Sequence, residues 1–213
     1  MPEVFPVMFI LFMYQLLPWR FGLLAGENRI RNYHLDDALE QINQSEDGAH
    51  YLIVYPHQRA LRELYTKYVK TQIEDQNKIV LILPHYETVE NLKSILLGGF
   101  PVAEDMMKKY KDSLIVMDSV KGHFGAGSHM DFVNKLVNGA ENGVLVIADA
   151  GPFFHLNKKD KLIEHELSMP SQFDVNLKRF CVFHKQDFNV LTEEQKQKLI
   201  NHHGQVLMVE DRY

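Results

Sequence analysis

Chemistry on this chain would have to come from dispersed histidines and carboxylates, because no complete catalytic motif is present. LIVMD (114–118) has the form of a Walker B strand, in which an aspartate, here Asp118, holds magnesium through water. Its counterpart would be GxxxxGK[ST] after the first strand, where backbone N–H groups cradle phosphate and a lysine neutralises it. That position reads Tyr55-Pro56-His57-Gln58-Arg59, with no glycine. GHFGAGS (122–128) follows the wrong strand and lacks GK[ST]. ATP hydrolysis by the P-loop route is therefore not expected. There is no GxSxG elbow, and Ser119 and Ser128 have no base at a fixed spacing. CxxC and HExxH spacings are also missing, and a loop set such as Asp118, His123, Asp149 and His155 specifies no metal by itself. The sequence thus assigns no catalytic residue, no metal ligand and no cofactor. Cys181, the one cysteine, lies in the apolar run RFCVFH and reads as a buried, inert thiol.

Six short apolar runs must position whatever site exists: 51–55, 78–84, 113–118, 143–149, 179–184 and 205–210. Each is continuous rather than alternating, as in strands covered on both faces. Helical patterns separate most of them. Leu61, Leu64, Tyr65, Tyr68, Val69 and Ile73 share one face; Phe132, Val133, Leu136 and Val137 share another. In the last pattern (192–204), Thr192 is an expected N-cap and Gly204 an expected C-cap. The rhythm predicts a three-layer α/β domain, with a mostly parallel central sheet of about six strands and helices on both faces.

Open parallel sheets bind ligands beyond the carboxyl ends of their strands. That edge gathers His57, His85, Asp118, Lys121, His123, Asp149, His155, His184 and Asp187. Asp118 and Asp149 also suit simple helix caps. Tyr55, Tyr86, Phe124, Phe153 and Phe154 add an aromatic rim, a mixture that suits a small organic ligand. Candidate ligand-binding residues are Tyr55, His57, Arg59, Tyr86, Asp118, Lys121, Asp149, Phe153, Glu166 and His184.

Composition narrows the class. The 213 residues are 46% apolar and 24% charged with a net charge of −5, so direct nucleic-acid binding is not expected. One cysteine suits a reducing cytoplasm. Residues 1–26 are strongly apolar, but the uninterrupted core at 7–17 is short for a membrane span, and only Pro2 and Glu3 precede the stretch where a signal peptide would be positive. A helix packed on the domain, a weak anchor and an extension from a mis-assigned start remain open, with membrane contact not favoured. Residues 27–49 read as a polar connector with a short helix near His34–Ile42, and 50–213 as the α/β domain.

The span from about His50 to Val209 resembles the MEDS domain, the methanogen/methylotroph DcmR-type sensory domain, in its archaeal form. The resemblance rests on the opening β-α-β (48–88), the helix with Glu166 in HEL, the strand ending CVFHKQDF, and the helix closing in HH before the last strand. It implies a RecA/KaiC-like fold without its P-loop, sensing small molecules in signal transduction or transcriptional regulation. No output module is visible in the sequence, so the resemblance further implies a protein partner or homo-oligomer. A degenerate nucleotide-binding, ATPase-like enzyme and an assembly or scaffold protein are the alternatives.

Overall fold

The computed structural model describes residues 30–98, 104–125 and 129–210. The apolar segment 1–26 lies outside them. Seven strands form one sheet: β1 (Ile30–His34), β2 (His50–Tyr55), β3 (Ile79–Leu83), β4 (Leu114–Val116), β5 (Val144–Asp149), β6 (Leu177–His184) and β7 (Gln205–Glu210), in the order β1-β7-β2-β6-β5-β3-β4. Every strand pair is parallel. All six apolar runs are strands. The seventh, β1, is IRNYH, within the stretch expected as a connector; it pairs with β7 alone, and its outer edge tolerates Arg31 and Asn32 facing solvent.

The central strands are apolar throughout because both faces are covered. On one face lie α1 (Leu35–Asn43), the run α2 (Gln58–Leu64), a π turn (Tyr65–Val69) and α3 (Lys70–Glu74), and α4 (Val89–Leu97). Their Leu39, Leu61, Tyr65, Tyr68 and Leu92 pack on Tyr51, Ile53, Ile82, Ile147 and Phe180. The opposite face carries α8 (Gly151–His155), α9 (Lys159–Ser168), α10 (Lys185–Asn189) and α11 (Glu193–His202), packed on Leu52, Val54, Cys181 and Phe183. Toward the β4 edge, Val133 of α7 (His129–Gly139) packs on Leu81, Val144 and Val146. The short α5 (Glu104–Lys109) and α6 (Ser119–Phe124) flank β4. Residue parity along each strand assigns side chains to the two layers, as the pleat requires.

Thr192 caps α11 in a complete capping box with Gln195. Gly204 is a correction: α11 ends on His203 in an extended conformation, and Gly204 does not take positive φ. A side chain at Gly204 would press on the Ser171 carbonyl at 3.3 Å, so space rather than handedness favours glycine there. Among the described residues no helix is long and apolar enough to cross a membrane.

Candidate functional site

Between β5 and β3 the chain's direction across the sheet reverses. β5 leads on to β6 on one side, while β3 leads on to β4 on the other. Crossovers that diverge in this way leave a crevice at the strand ends.

Asp149, the last residue of β5, lies at this edge and is fully buried. The Tyr55 hydroxyl, from the end of β2, donates to Asp149 Oδ2 at 3.0 Å, and the Gly151 N–H donates to Oδ1 at 2.8 Å. Burial pushes the Asp149 carboxyl up to about 7; these donors and the His85 backbone offset only part of that cost, and Asp187 adds to it. A buried carboxyl poised near neutrality is a common signature of a functional site.

Aromatic rings line the edge above it. His184 meets Tyr55 edge-on at 5.3 Å and Tyr86 at 5.4 Å, Tyr86 meets His85 at 4.8 Å, and His85 lies 5.7 Å from His155. The Tyr86 hydroxyl donates to the Asp187 carboxylate. Burial, and then the neighbouring His155, lower the His85 pKa, which keeps its ring neutral at pH 7. Of these groups His85, Tyr86, His155 and Asp187 line a cleft of about 360 Å³, whose walls also include Phe154 and Lys159. The aromatic face and the single lysine can hold a small organic molecule by apolar contact with a polar or anionic anchor.

The structure sorts the sequence candidates. Tyr55, Tyr86, Asp149 and His184 come together at this edge, joined by His85, His155 and Asp187 from the same strand-end group. His57 does not enter the cleft; its Nδ1 accepts the Ala60 N–H at 3.1 Å and caps α2. Asp118 likewise caps α6, accepting the Lys121 N–H at 2.9 Å, with both residues exposed. Phe153 is core, 2% exposed and packed on the His123 and Phe124 rings. His123 lies beneath it, its Nε2 3.1 Å from the Asp149 carbonyl oxygen, with burial lowering its pKa to about 3. Glu166 does not line the cleft; it is buried on α9 with its Oε2 3.3 Å from His203 Nε2. Lys159, at the start of α9, also lines the cleft; it lies away from the strand-end loops, and no strand-end signal marks it.

Arg59 stands in solvent, 84% exposed and 3.3 Å from Glu63 within its own helix turn. Arg59→Ala is expected to change stability by less than about 0.5 kcal/mol in urea unfolding and to leave ligand binding untouched. A loss of binding would move the site to the β2–α2 turn.

Among the described residues Asp118, His123, Asp149 and His155 do not converge as metal ligands. Among the described residues the one set of metal-ligand types that converges is His50, Glu166, Cys181 and His203. No protein-family model matches this chain, and no curated protein matches its sequence.

Proposed function

We propose that the chain is a non-catalytic small-molecule-sensing domain, acting in signal transduction or transcriptional regulation through a protein partner or a second copy of itself. The observation that carries this reading is the β2–α2 turn. In a P-loop protein, backbone N–H groups at this helix start point at phosphate. Here His57 Nδ1 takes up the Ala60 N–H, so the helix start is closed by its own side chain. Asp118, the carboxylate of the LIVMD run, is similarly engaged as a cap. What remains open is the cleft at the strand-order reversal, where rings and a few polar groups face solvent. Asp149 is fully buried beneath it, which favours recognition over turnover because no substrate atom reaches the carboxyl directly. The order of elements that resembles the MEDS domain supports a RecA/KaiC-like sensor without its phosphate loop, and a single buried cysteine suits the cytoplasm.

Melting curves test the proposal against small organic acids, aromatic compounds and nucleotides. A cleft ligand at about a hundred times its Kd adds about 2.7 kcal/mol, or roughly 5–10 °C for a chain of this size. Small acids or aromatics are expected to give the shift and magnesium–ATP none. A flat response in every class contradicts the reading.

A further inference from the structure

We propose that His50, Glu166, Cys181 and His203 form a closed four-ligand site for a divalent cation of zinc's preferences, beneath α9 and α11 and away from the ligand cleft. One Nε2, one carboxylate oxygen, one thiol and a second Nε2 come from four elements, and their ligand atoms all lie within 4.8 Å of one another. His50 opens β2, Cys181 sits in neighbouring β6, Glu166 lies near the end of α9, and His203 follows α11. All four residues are buried.

The imidazole orientations point to a cation. His50 Nδ1 is 2.8 Å from the Pro170 carbonyl oxygen, and His203 Nδ1 is 2.8 Å from the Leu199 carbonyl oxygen. A carbonyl only accepts, so each Nδ1 carries a hydrogen and a neutral ring turns the lone pair of Nε2 inward. Backbone carbonyls fix metal-binding histidines in this same way. The inward nitrogens face Cys181 Sγ at 3.4 Å and Glu166 Oε2 at 3.3 Å. Both His203 Nε2 and Glu166 Oε2 are inaccessible to solvent, and neither completes a hydrogen bond in the protein. Two acceptors held this close need a positive charge between them.

A proton on His203 satisfies that pair and the Cys181 thiol proton satisfies His50 Nε2, whereas one divalent ion replaces both protons and engages all four groups. Zinc bonds of about 2.0–2.3 Å place tetrahedral ligands roughly 3.3–3.7 Å apart, the separation the two measured pairs already have. The remaining pairs, at most 4.8 Å apart, close by about 1.5 Å or less on the same bond lengths. A thiolate and a carboxylate neutralise a divalent ion, so the four ligands and the cation together carry no net charge. Burial pushes the Cys181 thiol up, and the guanidinium of buried Arg179, on the same face of β6, offsets only part of that; a bound cation displaces the thiol proton. Four protein ligands leave no open position, which marks a structural rather than a catalytic metal. An entry route exists as well: a cavity of about 480 Å³ at the opposite edge of the sheet from the ligand cleft reaches His50 past Glu46 and Asp47. On this account Cys181 is a ligand, not the inert thiol expected from its apolar run.

The test is metal content in the full chain, produced in zinc-supplemented medium and purified without chelator. Elemental analysis is expected to find about one zinc per chain, and a strong chelator is expected to lower the melting temperature by about 10 °C. Cobalt uptake by the stripped chain should give a thiolate-to-cobalt charge-transfer band that Cys181→Ser abolishes. If that variant fails to fold, X-ray absorption on the unsubstituted zinc protein decides, with one sulphur and two imidazole scatterers expected. A reduced chain that carries less than about a tenth of an equivalent of metal and takes up no cobalt overturns the proposal, as does a zinc shell without sulphur.

Discussion

Asp149→Asn is expected to gain about 3 kcal/mol of stability on the unsubstituted chain as pH rises from 5 to 8. In the unfolded chain an aspartate titrates near 4, whereas burial holds the folded Asp149 carboxyl up to about 7. Between those values the fold keeps a proton that the unfolded chain has released, so stability falls by about 1.4 kcal/mol per pH unit and levels off above about 7. The contribution is fully present below the unfolded value and is lost on the alkaline side. Asparagine keeps an acceptor for the Gly151 N–H, the Tyr55 hydroxyl can turn to accept from its amide, and it does not ionise. Tyr55, Tyr65, His85, His123 and Asp187 surround the carboxyl in both chains. The buried histidines among them act in the opposite sense, costing stability as pH falls, and they cancel in the comparison. Urea unfolding of both chains at four pH values reads the difference directly. Parallel curves would show that Asp149 is ionised in the fold.

Gly151→Ala is expected to dismantle the cleft while sparing the sheet. An added Cβ would lie 2.2 Å from His85 Cδ2, 2.7 Å from Cγ and 3.0 Å from Cβ. Contact as far back as Cβ means that rotating the ring does not relieve the clash. The β3 or β5 loop has to move, and with it the His85 backbone and the Gly151 N–H that support Asp149. Overpacking of this kind costs about 1–3 kcal/mol. Loss of all cleft-ligand response is expected alongside an unchanged far-ultraviolet dichroism spectrum. Gly139→Ala supplies the contrast: nothing lies within 4 Å of its added Cβ and its φ is ordinary, so it should be neutral or slightly stabilising. If Gly151→Ala binds ligand as well as the unsubstituted chain, the cleft is not the site.

The layered sheet was readable because burial on both faces leaves uninterrupted apolar runs, such as 144–149, that few other structures produce. β1 was hidden for the opposite reason. An edge strand is covered on one side only, and IRNYH carries polar residues where a central strand could not. The strand-end rule points to the same edge of the sheet, where the structure brings Tyr55, Tyr86, Asp149 and His184 near one another and Tyr86 into the cleft wall. Glu166 went astray although its helix phase was visible: Leu162, Ile163 and Glu166 share the buried face of α9, so the carboxylate turns to the sheet and not to the strand ends. The His50, Glu166, Cys181 and His203 group left no local spacing to find. Its members meet only because β2 and β6 are neighbours and α9 and α11 cover them.

Histidine resonances offer the most direct check, since His85 and His155 line the cleft and His184 packs on its Tyr86, while His57 marks the helix start. Titrating a melting-shift hit should move the first three and leave His57 in place, and adding magnesium–ATP should move none of them and release no phosphate. ATP-induced shifts at His57 with steady phosphate release would contradict the account.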